Sequence, residues 1–371
     1  MPEVSLLTKL TETEQWWAAR YEFLKEQGYM LRPRFRPGWK ASFSGVLEAP
    51  EREDGQFHRN GRIMDALRIS DSYMVALKRV KNPVTEGRRS ISTEERISAL
   101  FSNDEHGSDP RNHCVRLLQI LHIPGIDDET ILVLPWMRNP KNPEFRTIGE
   151  VLQFVKEIFE GVQYMHQNNV AHRDCSFNNM VMDANEMYPN GYHPCDPSRT
   201  YDWKGRARYF SRTQCPPRYY LIDFGFSEIY EPSKPRPLTY AIRSGGTEPP
   251  ETQKPCDPFA TDVFLLGTMV RLHILDGRPR FHDYGMLGFE FLRQLVNDMT
   301  QDDPSKRPSM DEVMLRFSSI VRSLSWYKLR SRAVKREETL FLRPFRGLSH
   351  LFWTCEMIIK RRTSIPISSS Q

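Results

Sequence analysis

The stretch VAHRDCSFNNMVMD, residues 170–183, decides how the rest of the chain is interpreted. It places Asp174 five positions before Asn179, with Ser176 between them. The preceding segment, TIGEVLQFVKEIFEGVQYMHQ, has the apolar spacing of one long amphipathic helix, so the motif is predicted to lie in the loop that follows this helix. The question is which chemistry needs these side chains in that order.

Length and composition limit the answers. A chain of 371 residues is too long for one small core and fits two domains with extensions. With 39% hydrophobic and 27% charged residues it is typical of a soluble globular protein, and no run of about 18 apolar residues suggests a bilayer span. The amino terminus does not have the pattern of a secretory signal. Six cysteines without a CxxC pair argue against a disulfide framework or a zinc ribbon, which predicts the cytoplasm or the nucleus.

The positive charge of the chain is concentrated near its carboxyl end. Residues 326–371 contain ten Lys or Arg against three Glu, a net charge of +7, whereas the whole chain carries +5. The main body is therefore slightly acidic, and no nucleic-acid partner is expected. The basic tail is predicted to be the segment that contacts a membrane surface or a partner.

Strand patterns precede helix patterns along the chain. The segment LTETEQWWAARYEFLKEQG predicts one amphipathic helix, with Thr11 and Glu14 as a capping box and Gly28 as its stop. The segment RIMDALRISDSYMVALKRV has two β-rich runs joined by a turn, which predicts a hairpin. Further helices are predicted around 260–275 and 285–299. This order predicts an α+β protein with two lobes.

Six short motifs together resemble the signature set of the eukaryotic protein kinase domain. They occur in the family's order over most of the chain, which isolated chance matches would not do. The sequence around these motifs is similar to that of kinase-like proteins of mushroom-forming, or basidiomycete, fungi. The six motifs are VALK (75–78), HRDCSFNN (172–179), DFG (223–225), PPE (249–251), DVFLLG (262–267) and DPSKRPS (303–309).

The resemblance implies a bilobal fold, with a small β-rich N-lobe that carries one main helix and a larger, mainly helical C-lobe. It also implies where the domains begin and end. The expected segments are an N-terminal helical extension at 1–40, the N-lobe at 41–138, the C-lobe at 139–325 with an insert at about 184–218, and the basic tail at 326–371.

The resemblance assigns the ATP phosphates to a lysine and its acidic partner. Phosphoryl transfer mainly requires that the protein position the triphosphate and neutralise its charge. Lys78 matches the lysine that pairs with the α- and β-phosphates, and a Glu from the next helix, ISTEERISALF, would hold it. Glu94 fits best, because the apolar residues after it then repeat the family's spacing, and Glu95 is the alternative.

Three residues match the family's catalytic and metal-holding positions. Asp174 would accept the proton of the substrate hydroxyl and orient this group towards the γ-phosphate. Asp223 resembles the carboxylate that holds Mg²⁺, and Asn179 resembles the amide that holds a second ion. Hard oxygen ligands of this kind suit Mg²⁺.

Five further residues match positions that support the family's site without taking part in the chemistry. His172 matches a histidine with a structural, bracing role. Arg173 matches the arginine that interacts with a phosphorylated activation loop. Glu251 and Arg307 match a buried ion pair that anchors the activation segment. Asp262 matches the carboxylate that holds the backbone of the catalytic loop.

The segment ILVLPWMR (131–138) occupies the place of the hinge that binds adenine. Leu134 corresponds to the gatekeeper, and Pro135 and Met137 follow it. Pro135 has no N–H, but at that position adenine needs only a carbonyl. Met137 offers both an N–H and a C=O. Adenine binding is therefore compatible with the proline.

Two local departures from the family's pattern bear on activity. The glycine-rich loop is eroded: counting back from Lys78 by the family's spacing lands on Gly61, and only Gly55 accompanies it. Backbone contacts to phosphates are harder to make without glycine's freedom. In addition, Ser176 occupies the position at which Ser/Thr kinases have a lysine that neutralises the γ-phosphate. Asn178 occupies the position at which tyrosine kinases have an arginine.

The insert is the third departure, because 44 positions separate Asn179 from Asp223. Loops of this length are commonly functional or disordered. One of its cations could replace the lysine that Ser176 lacks, or the insert could be a solvated basic loop on the surface. The candidate cations are Lys204, Arg206, Arg208 and Arg212.

The sequence therefore predicts a protein kinase that transfers the γ-phosphate of ATP, with Mg²⁺, to a Ser or Thr hydroxyl of a protein. The alternative is a pseudokinase that serves as a nucleotide-binding or protein-interaction scaffold. A small-molecule phosphotransferase of the aminoglycoside or choline kinase type is disfavoured, since those enzymes usually lack the motifs that follow DFG here.

Overall fold

The computed structural model describes residues 8–45, 47–57, 60–85, 88–243, 247–278, 280 and 284–368, without the side chains of 84, 85, 88 and 89. The chain forms two compact units, each assembled from separate stretches of sequence. The first unit comprises Met1–Ser102, Arg116–Met137 and Tyr188–Tyr209, and the second comprises Asn103–Val115, Arg138–Met187 and Phe210–Gln371.

The first unit is built on an antiparallel sheet of five strands. Their order in the sheet is β1 (Tyr29–Met30), β2 (Ile63–Arg68), β3 (Met74–Lys81), β7 (Glu129–Pro135) and β6 (Gln119–His122). The predicted hairpin is confirmed: it forms β2 and β3, whose register pairs Met64 with Leu77. Val75 and Leu77 of β3 are fully buried in the core of this unit. Two further short strands, β4 (Val84–Thr85) and β5 (Arg88–Arg89), pair with each other.

Helices of the first unit are α1 (Glu12–Ala18), α2 (Tyr21–Glu26) and α3 (Thr93–Leu100). The capping box at the start of α1 is confirmed, since Thr11 accepts from the Glu14 N–H and Glu14 accepts from the Thr11 N–H. The prediction of one continuous helix is wrong. The hydrogen bonds of Arg20 interrupt the helix. Its N–H donates to the Trp17 carbonyl, and its guanidinium donates at 2.7 Å to the Trp16 carbonyl, which the Arg20 N–H would bond in a continuous α-helix.

A largely buried ionic cluster joins four segments of the first unit. Arg32 is 1% exposed and donates to both carboxylate oxygens of Asp65 on β2, at 3.0 and 3.1 Å. It also donates to Glu53 at 3.2 Å, and Glu53 lies 3.3 Å from the imidazole of His193. His193 belongs to the stretch 188–209, so the middle of the long insert is part of the first unit. The predicted boundaries had placed the whole insert within the C-lobe.

The second unit is mainly helical, with short strand pairs. Its helices are α4 (Asp104–Gly107), α5 (Ile148–Gln167), α6 (Pro258–Val270), α7 (Arg293–Met299), α8 (Met310–Ser323), α9 (Trp326–Arg330) and α10 (Arg343–Ile359). Its strands are β8 (Val170–Ala171), β9 (Met180–Asp183), β10 (Arg218–Leu221), β11 (Glu228–Ile229), β12 (Met286–Leu287) and β13 (Val334–Lys335).

The long helix α5 is confirmed, and most of its residues are buried. Thr147 caps its amino-terminal end, since the Thr147 hydroxyl accepts from the Glu150 N–H at 3.0 Å. The helix predicted over 285–299 starts only at Arg293, with β12 before it. Gly285 and Gly288 have φ of +72° and +88°, a left-handed conformation that interrupts a right-handed helix.

Helix α6 begins at Pro258 and continues as a π-helical segment, Arg271–Leu275. The stretch Pro258–Leu275 has a mean hydropathy of 1.3 and is long and apolar enough to cross a membrane by length and composition alone. Because 78% of this stretch is buried within the protein, a core helix explains it equally well. The mixture of an antiparallel sheet with helices confirms the α+β class, and the bilobal kinase arrangement stays a prediction.

We expect Arg32→Ala to lower the free energy of unfolding by about 3 kcal/mol, because the substitution leaves the buried Asp65 carboxylate without this counter-charge. Denaturant unfolding followed by circular dichroism measures the loss. Arg36→Ala removes an exposed arginine of the same segment and is the matched control. A change of about 0.5 kcal/mol or less is expected for the control. Equal losses in the two variants would contradict a stabilising role for the ionic cluster.

Candidate functional site

Lys78 and Glu94 form an ion pair within the first unit. Lys78 lies on β3 and donates from Nζ to Oε1 of Glu94 on α3. The two side chains are only 14% and 10% exposed. Glu95, the alternative partner, instead accepts from the Thr130 hydroxyl at 3.3 Å. The structure thus pairs Lys78 with Glu94, and Ser92 caps the helix that carries this glutamate.

The three residues assigned to adenine lie at the end of β7. Leu134 pairs with Ala76 of β3, and Pro135 is the last residue of the strand. The next N–H along the chain, that of Trp136, bonds the Met74 carbonyl at 3.1 Å. The proline therefore does not prevent β7 from pairing with β3. Met137 follows and is half-buried.

Gly61 is held against the first helix. Its carbonyl accepts from the Trp17 indole N–H at 3.0 Å. A Cβ at this position would lie 2.5 Å from Cβ of Thr13, closer than real contacts allow. This packing explains the glycine without a phosphate, while His58 and Arg59 of the same loop lie outside the described residues.

In the second unit, the carboxylate of Asp262 on α6 holds the backbone of the motif loop. It is fully buried and accepts from the His172 N–H at 2.8 Å and from the Arg173 N–H at 2.7 Å, one on each oxygen. The imidazole of His166 lies 3.0 Å from the carboxylate. These bonds stabilise the left-handed conformation of Arg173, whose φ is +66°.

Asn179 is bonded directly to Asp174. Its side-chain N–H donates to the Asp174 carboxylate at 2.8 Å and to the Asp174 carbonyl at 3.0 Å. The short 3₁₀ turn Phe177–Asn179 brings the two residues together. Because the amide nitrogen donates to Asp174, the amide oxygen is the atom that Asn179 has left to meet a cation.

The pairing of β9 with β10 places Asp223 beside Asn179. The register joins Met180 to Leu221, and the Ile222 N–H bonds the Asn179 carbonyl at 3.0 Å. Asp223 follows with φ of +67° and ψ of +71°, a left-handed conformation that non-glycine residues rarely adopt. Such strain is often found at functional sites, where surrounding contacts maintain it.

The donor set fits magnesium better than a transition metal. Within the ranges that the structure describes, no group of three or more His, Cys, Asp and Glu side chains is arranged to hold a metal ion. Mg²⁺ is usually bound through one or two carboxylates together with waters and substrate phosphates. The carboxylate of Asp223 and the amide oxygen of Asn179 match that pattern.

Glu157 supports the strand that leads to Asp223, and the motif analysis missed it. It lies on α5 and accepts from the Tyr219 N–H of β10 at 2.8 Å, with Gln153 as a second donor. Burial raises the pKa of the Glu157 carboxyl above its ordinary range. The signal in the sequence was a Gln and a Glu four residues apart in the long helix.

Arg173 reaches the segment that follows Asp223. Its guanidinium donates to the Glu228 carboxylate at 3.0 Å and to the Tyr240 carbonyl at 3.4 Å. His172 is fully buried, and its ring centroid lies 5.6 Å from that of Phe224. The roles that the family resemblance implies, a structural brace for His172 and an interaction of Arg173 with a phosphorylated activation loop, stay predictions.

Glu251 and Arg307 form a buried, bidentate ion pair. The two guanidinium nitrogens lie 2.5 and 2.9 Å from the two carboxylate oxygens, and the Thr261 hydroxyl donates to Glu251 at 3.1 Å. Burial alone would raise the pKa of Glu251, but the hydrogen bonds and charge of Arg307 outweigh burial and lower the pKa below its ordinary value.

Ser176 lines a small cavity of the second unit together with Arg278. Thr247 and His273 also line this cavity. The expectation that Arg212 could replace the missing lysine is wrong, because its buried guanidinium donates to the backbone carbonyls of 140, 143 and 144. The other candidates from the insert are exposed and belong to the first unit: Lys204, Arg206 and Arg208.

The comparisons with known proteins agree with a kinase-like class. No protein-family model matches the chain. One similar curated protein is described as probable serine/threonine-protein kinase ireA of Dictyostelium discoideum. The two sequences are 24% identical over 182 residues, which cover 43% of this chain but only 15% of that protein. The similarity supports a distant relationship to protein kinases.

We expect the stability difference between the wild type and Glu251→Gln to depend on pH. Because the pKa of Glu251 is lowered in the folded state, the ion pair contributes stability above the unfolded-state pKa of about 4.3 and loses it as pH falls through the folded-state pKa. Unfolding free energies measured between pH 7 and pH 3.5 should therefore converge at low pH.

Glu248→Gln is the matched control, because Glu248 pairs with Arg243 at an exposed position. Its effect should be small at every pH. If the effect of Glu251→Gln stays constant from pH 7 to pH 3.5, the ion pair does not have the electrostatic role described above.

Proposed function

We propose that the chain is an ATP-dependent protein kinase that phosphorylates Ser or Thr hydroxyls of protein substrates. The observation that carries the proposal is the arrangement of Asp174, Asn179 and Asp223: the first two are bonded at 2.8 Å, and strand pairing brings the third beside Asn179. The similarity to a probable Ser/Thr kinase supports the same reaction class.

Lys78 is the proposed phosphate-binding cation. Its partner Glu94 fixes the direction of the ammonium group, and both side chains are largely buried. A lysine held in this way can neutralise charge on the α- and β-phosphates without further reorganisation. In the same proposal Leu134, Pro135 and Met137 border the adenine.

Asp174 is the proposed general base. Its bond to Asn179 and the anchoring of the preceding backbone by Asp262 fix the direction of its carboxylate. From there it would orient a substrate hydroxyl and accept its proton. Asp223 and Asn179 would hold Mg²⁺, which neutralises charge on the phosphates when bound.

Arg278 is the proposed substitute for the lysine that Ser176 lacks. Both residues line one small cavity beside the loop that carries Asp174. An arginine near the transferring group would supply the positive charge that the family's lysine usually provides. This step rests on the kinase proposal and refines it.

We expect Asp174→Asn to lower turnover by about 10²-fold or more while it leaves ATP binding nearly unchanged, since a positioned base contributes about 10² to 10⁴. Phosphate transfer from radiolabelled ATP to generic protein substrates measures turnover. The shift in melting temperature with ATP, with and without Mg²⁺, measures binding. Asp302→Asn, an exposed carboxylate of the same unit, is the control and should leave both unchanged.

Two outcomes would overturn the kinase proposal. Equal turnover in Asp174→Asn and the wild type would remove Asp174 from the mechanism. An ATP-dependent rise in melting temperature without any transfer would assign the chain to the scaffold alternative, which the eroded glycine-rich loop would then explain.

A rescue experiment tests Arg278. We expect Arg278→Gln to lower turnover by about 10²-fold, and the double variant Ser176→Lys, Arg278→Gln to recover most of the loss, because the charge then returns from the family's usual position. Arg280→Gln, at an exposed neighbouring position, is the control. If Ser176→Lys alone raises turnover while Arg278→Gln has no effect, Arg278 does not replace the lysine.

A further inference from the structure

Helix α10 presents a continuous apolar stripe to the outside. The stripe residues follow one another at alternating intervals of four and three, so they lie on one face of the helix. Its large apolar side chains are 55 to 80% exposed. Leu351 and Ile358, also exposed, widen the stripe on one side. We call this the α10 stripe: Phe341, just before the helix, and Phe345, Leu348, Phe352, Cys355 and Ile359.

The opposite face of α10 holds the helix on the second unit. Met357 is fully buried, and the imidazole of His350 lies 2.9 Å from the Arg330 carbonyl. The ring of Trp353 is covered by the Arg146 guanidinium at 4.2 Å. Residues outside the stripe therefore anchor the helix.

An exposed apolar surface of this extent requires an explanation. Single exposed apolar residues are normal, but contiguous patches rimmed by polar groups mark surfaces that contact membranes or other proteins. Three of the six stripe residues are phenylalanines, a residue common on helices that lie in the interface of a bilayer. The residues and their exposure are those of an interaction surface.

Charge around the stripe identifies the partner. Residues 340–362 contain five Lys or Arg and one Glu, a net charge of +4. Three cations, Lys360, Arg361 and Arg362, follow the helix directly and are exposed. At the other end, Arg346 is 58% exposed and pairs with the buried Glu338 carboxylate at 2.8 Å. Basic groups at both ends of an apolar face complement a surface with an apolar interior and anionic groups at its boundary with water.

We propose that α10 binds to anionic membranes, with the stripe inserted among the lipids and the cations on the phosphate groups. Apolar contact and electrostatic attraction add in such binding. A second copy of the chain is a poorer occupant. The residues beside the stripe, Leu340, Leu351 and Ile358, are apolar where helix pairing places charged residues, and two copies at +4 would repel each other.

Sedimentation of the full chain with vesicles tests the proposal. Vesicles of phosphatidylcholine with 30 mol % phosphatidylserine are compared with pure phosphatidylcholine at 0.1 M and 0.5 M salt, with reductant because Cys355 is exposed. We expect binding to the anionic vesicles to be at least about tenfold tighter, and to weaken at high salt as screening increases.

The stripe is tested with the double variant Phe345→Asp, Phe352→Asp. It should weaken binding to anionic vesicles at least about tenfold, because two apolar groups that insert among the lipids in the proposal become charged. The matched control is Ile69→Asp, Leu315→Asp, which adds the same charge at exposed apolar positions elsewhere and should bind nearly as the wild type does. Circular dichroism and melting temperature verify that both variants fold.

The cations are tested with Lys360→Gln, Arg361→Gln, Arg362→Gln. The triple variant should lose at least about tenfold in affinity for anionic vesicles, since each cation near a charged bilayer adds to binding. It should also lose most of the salt dependence.

Several results would overturn the proposal. The proposal is wrong if the wild type binds neither kind of vesicle, or binds anionic and neutral vesicles equally. It is also wrong if the stripe variant and its control lose equal affinity for anionic vesicles. Light scattering provides a further decisive result: a dimer that the stripe substitutions dissociate, without vesicle binding, would assign the stripe to a second copy. Vesicle binding does not depend on phosphate transfer, so it can fail or succeed independently of the kinase proposal.

Discussion

The buried carboxylate of Asp262 is the constraint on which the candidate site of the second unit depends. Its two oxygens accept the successive N–H groups of His172 and Arg173, and the left-handed turn at Arg173 follows from that requirement. A buried carboxylate is costly unless hydrogen bonds satisfy it, so Asp262 and the loop stabilise each other. The direction of Asp174, the next residue, is therefore determined by a side chain that would not itself contact a substrate.

Buried polar contacts of β10 with α5 and with His113 provide the second support. Glu157 accepts from the Tyr219 N–H, and the His113 imidazole lies 2.8 Å from the Tyr219 carbonyl, so both backbone groups of this residue are bonded on the side of the core. Two residues after β10 ends, Asp223 adopts a conformation that costs free energy in isolation. A strand fixed in this way is the kind of surrounding structure that can maintain such strain.

Local patterns predicted much of this structure. The hairpin, the capping box at Thr11 and the long helix depend on residues close in sequence. The choice of Glu94 over Glu95 came from the family resemblance, because the residues after Glu94 repeat the family's apolar spacing. The break at Arg20 and the cation near Ser176 depend on side chains whose contacts the sequence does not reveal. Arg212 shows the difference, since its charge suggested an interaction with phosphate, whereas its guanidinium binds backbone carbonyls within the second unit.

The long insert illustrates how a fold tolerates extra length beside a site. The Phe210 N–H bonds the Met187 carbonyl at 2.9 Å, so the insert leaves and re-enters the second unit at almost the same point. Closing a loop costs only slightly more as it lengthens, because the entropy depends on the logarithm of its length. Between these two residues, His193 and the rest of the stretch 188–209 are packed within the first unit. The register of β9 with β10 is therefore kept, and Asn179 remains beside Asp223 despite the 44 positions that separate them in sequence.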